Sequence, residues 1–397
     1  MHPLRLVQKA DKLLSDGKFA HALSLFTQAQ TLRPDPFLRA EANYGMAECF
    51  RALGRFREAL VAYGRSHTAY RRLRVASERL RTLLGVSACL RILGRYRRAR
   101  SLWRAVDRAK RFGAVSPSLA EVRLEEALVE RGLGRFKAAS TRLNSAVAGL
   151  KKRRDLGALQ HAYWTLGGLE RFSGRLGPAL KAFQHASRLA VNIGDPSAQA
   201  FALCGEGGVL RVLGKGEASF RRYRRAHALH RRLKDSFGQA YGLCGMANAL
   251  RTFGDARKSL PLYQRSAALY RRLGDQSSEG FALWGLGGSF RCLKKWRDSD
   301  AAYRQARALF KKSADSRGLI MTDLGRARLA ESRGDFPRAF LDVRRALTLA
   351  RKVRLPYEIA LALWEKGRMR GILPPGRSPL RTFGLSSQSL KRWRDIP

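Results

Sequence analysis

Seven arginines recur at intervals of 40 residues, and their side chains are the groups in this sequence best suited to bind a ligand. They are Arg51, Arg91, Arg131, Arg171, Arg211, Arg251 and Arg291, and we call them the arginine ladder. A guanidinium presents a planar fork of N–H donors that matches the oxygens of a carboxylate or a phosphate. A regular row of these groups predicts recognition of an acidic or polyanionic ligand.

Large aromatic and small residues accompany the ladder on the same side of each predicted helix. Trp164, Trp284 and Trp364 share a position seven residues before the ladder position, and Gly168, Gly208 and Gly288 lie three residues before it. Steps of 3 and 4 keep these positions on one helical face. The pattern predicts a ligand groove with arginines, tryptophan anchors and a bare glycine floor.

Two alternatives apply to the same residues. An arginine in the last turn of a helix also stabilises the C-terminal end of the helix dipole, by about 0.3–1 kcal/mol. The tryptophans could equally pack between repeats. If the arginines do line a groove, packed helices about 8–10 Å apart would space them to match every third residue of an extended chain.

Catalytic and metal-binding patterns are weak. The seven histidines do not fall at metal or triad spacings. The Gly205–Gly208 stretch resembles a phosphate loop, but it lies inside a predicted helix and lacks the lysine that such loops carry. Glu126 and Glu206 are expected to form buried salt bridges with neighbouring arginines. The sequence therefore predicts a protein that is not an enzyme, with no cofactor, no metal and no small-molecule substrate.

The elements that position the ladder are indicated by a motif that begins as Leu53-Gly54-Arg55-Phe56 and repeats every 40 residues. The predicted turn residues are Gly17, Gly54, Gly94, Gly134, Gly174, Gly214, Gly254, Lys294 and Gly334. A period of 20–50 residues is typical of solenoids. Glycine at a helix C-terminus adopts the left-handed conformation without steric cost. Each unit is therefore predicted to be a helical hairpin, with helix A before the turn and helix B after it.

Small and aromatic residues recur around each turn. In the unit around Gly214, Gly207 lies seven residues before the turn, and Ser219, Tyr223 and Ala226 lie five, nine and twelve residues after it. Together with the stretch from Ala282 to Lys294, this pattern resembles the tetratricopeptide repeat in its long, 40-residue variety. The resemblance covers about residues 4–374. It implies an all-α, right-handed superhelix whose A helices line the concave face.

The predicted organisation is one array at residues 1–375, with about nine hairpins and a C-terminal capping helix at about 356–373. Asp155, Asp195, Asp235, Asp275 and Asp315 are predicted helix N-caps. Helix A is expected to be roughly thirteen residues long. Residues 376–397 are polar and basic, and their composition predicts a flexible tail or a segment that folds back into the groove.

Composition limits the class of partner. The chain has 78 Lys and Arg against 31 Asp and Glu, a net charge of +47, which favours acidic proteins or nucleic acids as partners. Its five cysteines have no ligand spacing and are expected to be buried, reduced thiols. No apolar run is long enough to span a membrane. A cytoplasmic location is the expectation.

Three functional hypotheses follow. The first is a protein-interaction scaffold whose basic concave groove takes an acidic segment of a protein partner. The second is a solenoid that binds RNA or single-stranded DNA, using phosphate contacts in the groove and the basic runs of helix B, such as Arg221–Arg225. The third, implied by the resemblance, is a regulator that senses a peptide.

Overall fold

The computed structural model describes residues 2–103, 105–106, 119–173 and 175–371, and these residues form nineteen helices and no strands. The helices alternate between A and B, giving nine hairpins and a final unpaired helix. The A helices are Pro3–Ser15, Pro36–Ala52, Ala76–Ile92, Leu119–Gly132, Leu156–Phe172, Pro196–Val212, Ser236–Thr252, Gln276–Cys292, Ser316–Ser332 and Pro356–Met369. The B helices are Phe19–Thr31, Phe56–Arg72, Tyr96–Ser101, Phe136–Lys152, Leu176–Asn192, Gly216–Arg232, Ala256–Leu273, Trp296–Lys312 and Phe336–Val353.

The predicted turn residues connect A to B as expected. Gly54, Gly94 and Gly134 have φ values of 73°, 70° and 72°, in the left-handed region that favours glycine. Lys294 adopts the same conformation, with a φ of 56°, so the turn is kept where the glycine is missing. Gly174 lies outside the described residues, as does the predicted tail at 376–397.

Helix A is longer than the sequence pattern predicts, because it begins directly after its cap. Asp195 accepts a hydrogen bond from the backbone N–H of Ala198 at 2.8 Å, and Asp275 accepts one from Ser278 at 2.9 Å. Asp155, Asp235 and Asp315 cap their helices in the same way. Each of these five helices runs for 17 residues from the cap to the turn. The N-cap prediction is therefore confirmed.

The aromatic residue nine positions after the turn holds neighbouring hairpins together. Tyr223 of helix Gly216–Arg232 lies between Gly207 of its own helix A and Gly245 of the next. A Cβ atom at Gly207 would lie only 2.8 Å from the Tyr223 ring, so this close approach requires glycine. Phe183 sits in the same way against Gly167 and Gly205. The aromatic ring thus fills the gap that the small residues leave.

The A helices form the inner layer of the solenoid. Each A helix packs on its own B helix and also closely approaches the next A helix, whereas consecutive B helices show no comparable approach. Curvature therefore brings the A helices together on the concave side. The fold is the all-α solenoid of about nine hairpins and a capping helix that the sequence predicts.

The superhelix is narrow enough for distant repeats to touch. A Cβ atom at Gly54 would lie 3.0 Å from a carboxylate oxygen of Asp275, more than five repeats further along the chain. The turn at Gly134 approaches Pro356 in the same way, at 3.2 Å from Cγ. The AB turns of the early repeats therefore face the BA loops of the late repeats across the superhelical gap.

The cysteines are free thiols, as expected, but their burial varies. Cys49, Cys89 and Cys204 are buried, Cys244 is half-buried and Cys292 is exposed. Burial raises the pKa of the Cys89 thiol to about 12. In the part of the chain that the structure describes, no helix is both long and apolar enough to cross a membrane.

Candidate functional site

The arginine ladder lies in the last turn of successive A helices, so its side chains enter the inner layer of the solenoid. The register of the sequence prediction is therefore present in the structure. The seven residues have different surroundings, however. They divide into an N-terminal pair, a central group and a C-terminal pair.

Arg51 and Arg91 are paired with carboxylates. Arg51 forms a short salt bridge to Glu48, and Arg91 Nε lies 3.1 Å from Glu125 Oε1. Burial alone would lower the pKa of Arg51, but the Glu48 carboxylate raises it. Tyr63 also donates a hydrogen bond to Glu48. The N-terminal part of the ladder thus has its charge balanced within the protein.

The central arginines lie on the predicted glycine floor. A Cβ atom at Gly168 would be 3.2 Å from Arg131 Nη1, and one at Gly208 would be 2.5 Å from Arg171 Nη1. Each guanidinium therefore occupies the space left by a glycine 37 residues later, in the next repeat. The floor is not bare, because the arginines themselves cover it.

The central arginines repel one another, because they are positively charged neighbours. Burial, together with the charges of Arg91, Arg171 and Arg317, lowers the pKa of Arg131 to about 9. Burial also lowers the pKa of Arg211, with Arg251 and Arg171 contributing. A guanidinium remains charged in a protein, so the shift measures an electrostatic penalty rather than a deprotonation.

Arg211 has the most exceptional environment in the ladder. Its Nε and Nη1 atoms are inaccessible to solvent and have no hydrogen-bond partner. Buried donors without partners cost about 1–3 kcal/mol each, and more when they are charged. An oxyanion beside Arg211 would accept from one of these donors and offset the repulsion from Arg171 and Arg251.

The C-terminal pair is enclosed. Arg251 Nε donates to Tyr263 Oη at 3.2 Å, and the Arg251 guanidinium lies against Gly288. Arg251, Arg291 and Trp284 surround a cavity of about 20 Å³, which is close to the volume that one water needs. This end of the ladder has no room for a peptide.

The three tryptophans take part in packing between repeats. Trp164 Nε1 donates to the backbone oxygen of Phe201 at 3.3 Å, and Trp284 Nε1 donates to that of Met321 at 2.9 Å. Both acceptors lie in the next A helix, 37 residues on. Trp364 is only 6% exposed and belongs to the C-terminal core. Their predicted role as ligand anchors remains a prediction.

A cleft of about 750 Å³ leads to the first part of the ladder. It lies between the early AB turns and the late BA loops, where the superhelix closes. Arg51, Arg91, Arg131 and Arg317 line it on the cationic side, and Asp235, Asp275 and Asp315 line it on the acidic side. Phe201, Phe237 and Phe281 add aromatic surface. The sequence does not predict this cleft, because it depends on the pitch of the superhelix.

The acidic residues inside the repeats are used in ion pairs. Glu206 lies 2.9 Å from Arg222, and Glu126 lies 3.2 Å from Arg142, as the sequence predicts. Burial raises the pKa of Glu206, but three arginines around it oppose that shift. Among the described residues, no group of three His, Cys, Asp or Glu side chains could hold a metal ion.

Comparison with known proteins supports the fold. No protein-family model and no curated protein sequence matches the chain. A Rap protein solved in complex with competence and sporulation factor has 15% sequence identity and a TM-score of 0.56, covering 81% of this chain and 93% of its own. The Rap conjugation gene regulator of plasmid pLS20, in complex with the Phr* peptide, has 14% identity and a TM-score of 0.56 over 91% of this chain and 98% of its own.

These similarities establish the class of structure. The chain has a tetratricopeptide-type repeat fold, and the resemblance seen in the sequence is confirmed at that level. At 14–15% identity the likeness concerns the fold and not the ligand.

Proposed function

We propose that the protein is a non-enzymatic interaction scaffold whose concave groove binds an acidic segment of a protein partner. The segment would enter through the 750 Å³ cleft and place carboxylates against Arg131, Arg171 and Arg211. The observation that carries the proposal is the pair of buried, unpartnered donor atoms on Arg211. A carboxylate is the protein group best suited to accept hydrogen bonds from a guanidinium.

Two features favour a protein segment over a single-stranded nucleic acid in this groove. Proteins that bind single strands stack bases on aromatic rings. Here the indole N–H groups of Trp164 and Trp284 are bonded to the next repeat, and Trp364 is buried. The cleft also contains Asp235, Asp275 and Asp315, which would repel a phosphate backbone but could pair with basic residues of a mixed-charge segment.

The two structurally similar Rap proteins agree with this choice of ligand. One of them is solved with a peptide and the other with competence and sporulation factor. The fold of this chain therefore suits a protein or peptide ligand, and its charge favours an acidic one.

The test is a fluorescence-anisotropy titration with a labelled 15-residue peptide that has Glu at every third position. A second peptide of the same composition has its Glu residues clustered at one end. We expect the spaced peptide to bind more tightly, because the ladder steps by roughly 10 Å per repeat. Arg211→Met should weaken its binding by about 10- to 100-fold, since charged hydrogen bonds contribute about 1.5–3 kcal/mol.

Arg224→Met is the matched control, because Arg224 is an exposed residue on the outer helix Gly216–Arg232. This variant removes the same charge and should change the affinity by less than about twofold. Equal losses in the two variants would mean that the peptide binds the general surface charge. A single-stranded RNA 20-mer that binds more tightly than the peptide and requires Arg211 would instead favour the nucleic-acid alternative.

A further inference from the structure

The loops that join each helix B to the next helix A carry an unusual residue choice, and we call this side of the solenoid the BA edge. Except for Tyr96–Ser101, each helix B in the described part of the chain is followed by a residue of positive φ, the position at which glycine is preferred. Gly194 and Gly274 follow that preference. In five other repeats the residue is Arg33, Arg74, Arg154, Lys234 or Arg354, with φ between 50° and 59°.

A cation at this position is locally unfavourable. An L-residue with a Cβ atom is strained in the left-handed region, whereas glycine is not. The loop closes equally well with glycine: Asp195 N donates to Ala190 O at 2.8 Å after Gly194, and Asp235 N donates to His230 O at 2.9 Å after Lys234. A residue kept in a strained conformation where glycine would serve indicates a function for its side chain.

Neutralisation of the helix dipole does not explain these cations. Helix Phe56–Arg72 already has Arg71 and Arg72 in its last turn, and helix Gly216–Arg232 has Arg231 and Arg232 there. Arg74 and Lys234 lie beyond the helix ends and are exposed. The dipole effect falls off outside the last turn, so these side chains add charge to the surface rather than stability to the helix.

Cations are frequent on the exposed part of the edge. In the late repeats the edge faces the early AB turns: Gly274 approaches Leu53, and Ala314 packs on the core cluster around Phe56 and Tyr63. Small residues occupy the left-handed position at both places, whereas Arg354 occupies it in the last loop, next to Leu355 and Pro356, which approach Gly94 and Gly134. Of the five described positions from Arg33 to Lys234, where the edge is exposed, four are cationic and only Gly194 is not.

The edge combines these residues into basic clusters, Arg71–Arg74, Lys151–Arg154 and Arg231–Lys234, each close to a helix end. Neighbouring repeats on the edge are roughly 10 Å apart. Its exposed apolar residues are Leu32, Leu73, Val191, Ile193 and Leu233, which are 36–57% exposed. Single aliphatic residues between cations do not form the continuous apolar patch that membrane insertion needs.

We propose that the exposed BA edge binds the phosphate backbone of double-stranded nucleic acid, with Arg74, Arg154 and Lys234 as contact residues. These loops contain no aromatic residue on which an unpaired base could stack, so the edge lacks the platform typical of single-strand binding. Its regular cations can contact phosphates without reading the base sequence. This surface is separate from the concave groove, and the inference does not depend on the function proposed for the groove.

The experiment measures binding of a labelled 20-base-pair duplex to the full chain between about 50 and 200 mM salt. The test variant is R74G/R154G/K234G, which removes three charges and relieves three strained backbone positions. We expect at least a tenfold loss of duplex affinity near 100 mM salt. The slope of log K against log salt should become less steep by about 2 to 3, close to one for each phosphate that the variant no longer neutralises.

Two controls separate charge from backbone geometry. A314G relaxes the same kind of loop without changing the charge, and it should bind the duplex like the wild type. R57Q/K137Q/K181Q removes three charges from exposed positions on the B helices, and it should change the affinity by less than about twofold. The thermal midpoint of the triple glycine variant should equal or exceed that of the wild type, which would exclude misfolding as the cause of any weaker binding.

Several outcomes would overturn the proposal. The edge has no role if the glycine variant binds the duplex as tightly as the wild type, or if both triple variants lose affinity equally. The duplex assignment is wrong if the corresponding single strand binds with equal affinity and salt slope. It is also wrong if vesicles containing anionic lipid bind through the same three residues and the duplex does not.

Discussion

The N-terminal and central parts of the arginine ladder have the same sequence register but opposite charge balance. Arg51 and Arg91 have their carboxylates inside the protein, at Glu48 and Glu125. Arg131 and Arg211 lie beside other arginines and beside tyrosines; burial and the neighbouring arginines lower their pKa values, while Tyr96 and Tyr223 oppose that shift. One repeated position therefore serves as a structural ion pair in one region and as a cationic site in the other.

The difference shows how a repeat protein can localise a site without changing its fold. The residue six positions before the turn is Glu48 in the second repeat, Gly208 in the sixth and Asn248 in the seventh. Tyr63 donates to Glu48, and the corresponding Tyr263 donates to Asn248 Oδ1 at 2.8 Å. The hydrogen-bond pattern is retained, while the negative charge is lost. At Arg211, where the neighbouring positions hold Gly208 and Asn248 instead of a carboxylate, two donor atoms have no hydrogen-bond partner.

The largest effect should come from removing one arginine in each region. Arg91→Met leaves Glu125, which also accepts from Ser87 Oγ, without its main partner, and it should lower the free energy of unfolding by about 2–4 kcal/mol. Arg211→Met removes an uncompensated buried charge and should leave stability unchanged or raise it by about 1 kcal/mol. Urea unfolding measures both values. Equal destabilisation would show that the central arginines are structural as well.

A carboxylate placed in the central region should convert it to the N-terminal arrangement. In the register seen for Arg131 and Gly168, residue 248 faces Arg211, and Asn248→Glu would put a charge between Arg211 and Arg251. We expect the affinity for the acidic peptide to fall at least tenfold, about 1.4 kcal/mol, with stability kept or improved. Asn248→Gln is the neutral control. Unchanged peptide binding in Asn248→Glu would place the ligand elsewhere.

A small anion should distinguish the two regions by its effect on thermal unfolding. Pyrophosphate at about five times its Kd should stabilise the folded protein by about 1 kcal/mol, measured as a rise in the thermal midpoint. Asn248→Glu should show little of this rise, while Arg91→Met should keep it, because its central arginines are intact. The same rise in all three proteins would indicate anion binding to the general surface.

The smallest effect concerns pH. Burial lowers the pKa of His67 and of His227, and neighbouring arginines add to both shifts. The unfolded chain then binds more protons near pH 6, so the free energy of unfolding should fall from pH 7 to pH 5. A His67→Gln/His227→Gln variant should weaken this dependence, and His161 and His185, whose pKa values are also lowered, should account for the remainder. The difference between Arg91→Met and Arg211→Met should persist, since arginine does not titrate there.

The features that recur in every repeat could be predicted from the sequence, because the same local interactions form them each time. The glycine turns, the aspartate caps and the aromatic nine residues after the turn follow from backbone preference and side-chain size. The 40-residue register of the arginine ladder could be predicted in the same way. The sequence does not show that Arg131 lies on Gly168 of the next repeat, or that Trp284 donates to Met321. Those contacts depend on the small rotation between repeats, which no local pattern encodes.

The contact between early turns and late loops changes how this solenoid is expected to unfold. An open repeat array resembles a one-dimensional chain, in which each unit interacts with its neighbours and the ends can fray independently. The approach of Gly54 to Asp275 and of Gly134 to Pro356 joins units more than five repeats apart. Loss of a late repeat therefore removes support from an early one. We therefore expect the molecule to unfold cooperatively, with distant repeats losing structure together.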